Sequence, residues 1–198
     1  PQWSLSQGLK VIYRSQYLIW ILTLVLLSQL VVTLIDYQYK SFLKEAYADV
    51  DARSAVQGLV YFSIDIGSLI MQLITGLTLT VLGVGRTLFI IPCLLGVLCI
   101  APMLSPLFIA IAAAKSSSKF LTYSIFKSAK EILYLPLNYM EQTQGKAVID
   151  ILVYRQAKIL ASVLLIVFSA FSVSLIVVQW LTLVCLFGWI FVALKLWS

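Results

Sequence analysis

Long apolar stretches separated by short polar ones run through almost the whole chain. A helix needs about 20 apolar residues to cross the hydrocarbon core of a bilayer. Six stretches approach or exceed that length, at residues 15–46, 56–82, 87–104, 106–135, 146–169 and 173–197. Strict alternation over about ten residues, the mark of barrel strands, is missing. Each stretch is therefore expected to be a helix, which satisfies its own backbone hydrogen bonds in lipid. Pro92 and Pro106 fit near helix ends or kinks, Pro136 closes the fourth helix, and Gly83-Val84-Gly85-Arg86 reads as a tight turn. A short amphipathic piece, residues 3–13, is expected to lie in the interface ahead of the first span. The organisation is thus an interfacial segment at 1–14 and a six-helix membrane domain at 15–198.

Inside these spans the polar residues keep helical spacing. The first carries Gln29, Thr33, Asp36, Tyr37, Lys40 and Lys44 as one stripe. The fourth carries Lys115, Lys119, Tyr123, Lys127 and Glu131 at four-residue steps, with Lys130 beside them. The second has Asp65, Ser68, Gln72 and Thr75; the fifth has Asp150, Tyr154, Arg155, Lys158 and Ser162. The third holds no charge, and the sixth only Gln179 and Thr182 before Lys195 at its end. Lining, supporting and lipid-facing helices so recur with period three. The fold class predicted is all-α: a polytopic membrane protein whose six transmembrane helices form a 3+3 inverted repeat, one half of a major-facilitator-type transporter.

Composition agrees. Of 198 residues, 62% are hydrophobic and 11% charged, against about 45–50% and about 25% in soluble domains. That excludes a water-soluble globule and a disordered chain. The net charge of +6 comes from basic residues set among apolar runs, not from a solvated patch, so no nucleic-acid partner is expected. Cys93, Cys99 and Cys185 lie in apolar runs without CxxC spacing, and the chain has no His. No zinc site, His-based triad or disulfide framework follows, and neither a cofactor nor a resident metal is expected. No nucleophile–base pair is present either, so the chain is not read as an enzyme. It opens on Pro1, as expected of a processed product or a piece of a longer chain, and shows no signal peptide.

Lys10, Arg14, Arg86, Lys127, Lys130, Lys146 and Lys195 fall on one side of the membrane if the N-terminus is cytoplasmic. Lys44 and Arg53 fall on the other, in a loop with Glu45, Asp49 and Asp51. Both termini are therefore predicted inside. Lys10, Arg14 and Lys195 serve as interface anchors, as do Trp3, Trp180 and Trp197, while Asp65 and Asp150 suit bonds between helices. Snorkelling accounts for Lys127 and Lys130 near the inner end. It accounts poorly for Lys115 and Lys119, which sit nearer mid-span, where a charge costs about 2.5–3.5 kcal/mol on insertion scales. A face bearing several lysines calls for an anion.

Three strings add to this. Leu34-Ile35-Asp36-Tyr37-Gln38-Tyr39-Lys40, Lys127-Ser128-Ala129-Lys130-Glu131-Ile132-Leu133-Tyr134-Leu135-Pro136-Leu137 and Gly145-Lys146-Ala147-Val148-Ile149-Asp150 resemble the ATP/ADP translocase family, nucleotide transporters of plastids and obligate intracellular bacteria. The resemblance covers nearly the whole chain and matches the second half of a twelve-helix carrier. It implies exchange of nucleotides, an ATP/ADP-type antiport, across a bacterial inner membrane, and a preceding six-helix half in the same full-length chain. It also implies a transport role for Lys130, and places Asp36 where the family usually has Glu; Lys40 and Glu131 match the motif too. The candidate substrate-binding residues are Asp36, Lys40, Lys115, Lys119, Lys127, Lys130, Glu131, Arg155 and Lys158. Their expected partner is a nucleotide or another phosphate-bearing anion, with Asp36 and Glu131 holding lysines when substrate is absent. Two rival readings are a proton-coupled carrier of another anion and a non-transporting membrane anchor or sensor.

Overall fold

The structure, a computed structural model, describes residues 5–105, 107–171 and 173–197, with the backbone alone at 5–7 and 152–154. The described residues are helical apart from short connections. A short α1 (Leu5–Arg14) is followed by α2 (Gln16–Ala46), α3 (Val50–Leu82) and α4 (Val84–Leu104). Helix α5 runs unbroken through Phe108–Leu121, a π-helical turn at Thr122–Phe126, and Lys127–Leu133. Helix α6 (Glu141–Ala170) includes π-helical turns at Glu141–Gly145 and Ile149–Val153, and α7 is Leu175–Trp197. By length and composition α2, α3, α4, α6 and α7 can each cross a membrane. Helix α5 packs among them but carries Lys115, Lys119, Lys127, Lys130 and Glu131.

Several boundaries differ from the hydropathy reading for local reasons. Helix α3 begins at Val50 and not at 56, because Asp49 caps it: its Oδ2 accepts the Ala52 N–H at 3.1 Å. Asp51 and Arg53 thus belong to the helix, not to a loop. The following turn is Gly83 alone, at φ +76°, a left-handed conformation open to glycine. Helix α6 starts at Glu141, earlier than 146, since its polar first turns hide from a search for apolar runs. Pro92 and Pro102 lie inside α4, whereas Pro106, Trp3 and the rest of residues 1–4 are outside the described residues.

The core centres on α2, which packs on α5, α6 and α7. Helix α5 packs on α2, α3 and α4, and α4 packs on α7. Leu18, Ile21, Leu24 and Ile35 of α2 share one buried apolar cluster with Leu88, Ile91 and Leu95 of α4 and Trp189 of α7, among others. Trp189 meets Phe126 edge to face, centroids 5.2 Å apart. A buried side-chain bond between α2 and α7 joins Gln38 Nε2 to Thr182 Oγ1 at 2.7 Å. The N-terminal α1 crosses the start of α6. Gly8 makes this possible, since a Cβ there would come within 2.4 Å of Val148 Cγ2. Helices α3 and α6 are the most exposed of the long elements.

Candidate functional site

Two ionic clusters lie along the contact of α2, α5 and α6. In the first, Asp36 of α2 divides its carboxylate between two lysines of α5. Oδ1 is 3.8 Å from Lys115 Nζ, and Oδ2 is 2.9 Å from Lys119 Nζ. Helical spacing dictates this: Lys115 and Lys119 are four residues apart and so stack on one face of α5, opposite Asp36. Their environments differ. The Lys115 side chain has no exposed surface and its ammonium lies 3.8 Å from the Tyr39 ring centroid and 4.6 Å from that of Tyr61. Among the described residues it has no hydrogen-bond acceptor. The charge is held by Asp36 and by the negative faces of the two rings. Lys119 is 15% exposed, Asp36 29%, and Tyr123 Oη stands 3.5 Å from Lys119 Nζ. Lys119 is the more exposed lysine of this pair.

The second cluster depends on the π-helical turn. Each four-residue step on an ideal α-helix overshoots a full turn by about 40°. From Lys115 to Glu131 this drift would reach about 160° and turn the inner residues away from the outer ones. One π-helical turn, in effect a single inserted residue, takes back about 100° of it. Lys127, Lys130 and Glu131 therefore line the same cavity, of about 350 Å³, as Tyr123 of α5, Gln29 of α2 and Asp150 of α6. Lys130 Nζ donates to Asp150 Oδ1 at 2.6 Å. Glu131 Oε2 accepts from Lys146 Nζ of α6. A further π-helical turn, Ile149–Val153, holds Asp150 itself.

The structure thus groups Asp36, Lys115 and Lys119, and separately Lys127, Lys130 and Glu131. Lys40 lies apart from both, in a recess toward the C-terminal end of α2. Arg155 and Lys158 are exposed on α6 and are not among the cavity-lining residues. Glu131 bonds across to Lys146 rather than to Lys127 or Lys130 on its own helix. Asp150 joins two helices as its position suggested, whereas Asp65 is exposed on α3. Gln29 and Tyr123 were visible as stripe members but not singled out. Tyr39 stands three residues after Asp36, a spacing that carried the signal. Tyr61 comes from another helix, and nothing in its local sequence pointed to Lys115.

The profile of the TLC ATP/ADP transporter family matches residues 1–198. The chain belongs to that family. Among curated proteins it is similar to ADP,ATP carrier protein 1 of Chlamydia muridarum (strain MoPn / Nigg), 25% identical over 180 residues, which is 80% of this chain and 34% of the relative. It is likewise similar to ADP,ATP carrier protein 1 of Chlamydia pneumoniae, 26% identical over 179 residues, covering 80% of this chain and 35% of that one. The chain spans about a third of the length of these relatives. No solved structure matches it. Within this TLC-family chain, both ionic clusters fall inside the region matched by the profile.

Proposed function

We propose that this chain is the six-helix second half of an alternating-access carrier that exchanges nucleotides, ATP against ADP in type, with cavity lysines binding the phosphates. The observation that carries the reading is Asp36 clamped between Lys115 and Lys119 above a cavity bearing Lys127 and Lys130. Phosphate oxygens accept from ammonium groups as Asp36 does, and do so strongly where water is scarce. A polyphosphate would displace Asp36 from Lys119 and Asp150 from Lys130. Lys115, wholly enclosed, would keep Asp36 in place throughout and act as a positioning charge. On product release the carboxylates re-pair with the lysines, so an empty site is not left with bare charges.

The packing supports the six-helix half. Its main contacts keep their pattern when α2, α3 and α4 are exchanged with α5, α6 and α7: α2 meets α5, α6 and α7, as α5 meets α2, α3 and α4. That is the expectation for two inverted three-helix units. Asp65, Gln72, Arg155 and Lys158 on the exposed α3 and α6 call for a wet or protein-covered surroundings rather than lipid. A preceding half would supply it. The excess of Lys and Arg at one end favours cytoplasmic termini, and the relatives favour a bacterial inner membrane.

The test is uptake of labelled ATP by proteoliposomes of the full-length gene product. Uptake should require internal ADP or ATP and should fall at least tenfold in Lys130→Gln, about the loss of one charge-assisted contact. Uptake that ignores internal nucleotide and follows a pH gradient would favour the proton-coupled alternative. Nucleotide binding without flux would favour the sensor reading.

A further inference from the structure

Toward the C-terminal end of α2, Lys40, Lys44 and Arg53 converge on a second recess, of about 320 Å³, whose polar lining is completed by Ser54 and Gln57. Its charges stand apart from the central clusters. Lys115, Lys119, Lys130 and Lys146 are each ion-paired with a carboxylate, whereas among the described residues Lys127 of the central cavity and Lys40, Lys44 and Arg53 of the recess are not. Of the nearby carboxylates, Asp49 caps α3, and Glu45 and Asp51 are exposed and form no ion pair among the described residues. Arg53 donates from Nε to the Asp49 carbonyl and from Nη2 to the Ala48 carbonyl, both at 3.3 Å. These bonds orient the guanidinium and leave its other N–H groups free. Neither the Ser54 hydroxyl nor the Gln57 amide is bonded to any described residue, so both have donors to spare.

Three cations with no ion-pair contact among the described residues, together with two neutral donors around one concavity, suit an oxyanion with several acceptor atoms. Position adds to this. Asp36, Lys40 and Lys44 follow one another at four-residue steps on α2, each step a rise of about 6 Å. The recess therefore opens about one helical turn beyond the carboxylate that holds Lys119.

We propose that this recess is a phosphate-docking site at the mouth of the transport path, receiving the phosphates of a soluble polyphosphate before they pass to Lys119. The identity of that polyphosphate rests on the exchange reading; the binding of phosphate in the recess does not. A phospholipid headgroup offers the same chemistry, and the experiment separates the two sources.

Full-length protein carrying Lys119→Gln, Lys127→Gln and Lys130→Gln, so that the accessible central lysines are silent, is titrated in neutral detergent with labelled pyrophosphate, with and without the added pair Lys44→Gln and Arg53→Gln. The added pair should weaken binding about tenfold or more, and the charge-keeping pair Lys44→Arg and Arg53→Lys should restore most of it. Unchanged pyrophosphate affinity overturns the proposal. So does a difference that emerges only in phosphatidylglycerol vesicles and never with pyrophosphate, since a headgroup is then the occupant. With the central lysines intact, the Lys44→Gln/Arg53→Gln carrier in phosphatidylcholine vesicles should need more nucleotide for half-maximal uptake at the face bearing the recess, and the wild-type amount at the opposite face. An equal rise at both faces contradicts docking. If the wild type carries no nucleotide and the pair still loses pyrophosphate, the exchange reading fails and the docking site stands.

Discussion

Asp36→Asn removes one negative charge from between two ammonium groups and leaves the shape of the side chain almost unaltered. With an effective dielectric of about 20, contacts at 2.9 and 3.8 Å correspond to roughly 6 and 4 kcal/mol of Coulomb attraction. Most of this is offset by the desolvation of the ions, and Asp36 is partly exposed, which screens it further. Breaking a buried pair by removing one partner costs about 3–5 kcal/mol, and the exposure sets the expectation at the low end, about 3 kcal/mol. Lys119→Gln should cost less, about 1 kcal/mol, because Asp36 keeps Lys115 as its partner. The double variant should be more stable than Asp36→Asn alone, since removing Lys119 relieves the repulsion with Lys115. A positive coupling of about 1–3 kcal/mol follows. Thermal unfolding of the full-length protein in detergent, read by a thiol-reactive dye, measures the order; the buried Cys99 reports opening of the core. The midpoint should fall from wild type to Lys119→Gln, then to the double variant, then to Asp36→Asn. If Asp36→Asn melts with wild type, or the two substitutions simply add, the clamp is not an energetic unit.

Three further outcomes are expected. Exchanging charges in Lys130→Asp with Asp150→Lys should recover part of the thermal stability lost in either single variant, because the pair bridges α5 and α6 at 2.6 Å; two equal and additive losses would exclude the bridge. Deleting Ser124 should turn the π-helical stretch into α-helix and leave the phase of both flanks intact, whereas inserting Ala after Ser128 should swing Lys130 through about 100°. Cross-linking of a Lys130→Cys, Asp150→Cys protein by a short bifunctional thiol reagent should then survive the deletion and vanish with the insertion. Gln38→Leu should lower stability by about 0.6–1.7 kcal/mol through loss of its bond to Thr182, measured by the same melting assay.

Much of the architecture was legible in the sequence because lipid-depth helices must be long and apolar, and the hydrophobic runs located the cores of the long helices. Their ends were less legible. Polar first turns, as at Asp49–Arg53 and Glu141–Gly145, look like loops until a cap or a packing partner is seen. The placing of Asp36 near the α5 lysines could be anticipated from stripes of matching polarity on two helices. The inner cluster could not be read in the same way. A four-residue lysine ladder extrapolated along a regular helix ends facing the wrong direction, and it is the π-helical turn at Thr122–Phe126 that restores it. No composition or periodicity announces that turn. The same limit explains Glu131, which the sequence set beside its own lysines and the fold brings to Lys146. The Tyr61 contact with Lys115 joins α3 to α5 and depends wholly on tertiary packing.

The claim that ammonium groups of α5 receive phosphate is tested most directly by equilibrium binding of ATP and of adenosine to the full-length protein and to Lys119→Gln and Lys130→Gln. Each substitution should weaken ATP about tenfold or more while leaving adenosine unaltered. ATP affinity equal to wild type in both variants, or adenosine weakened as much as ATP, would contradict it.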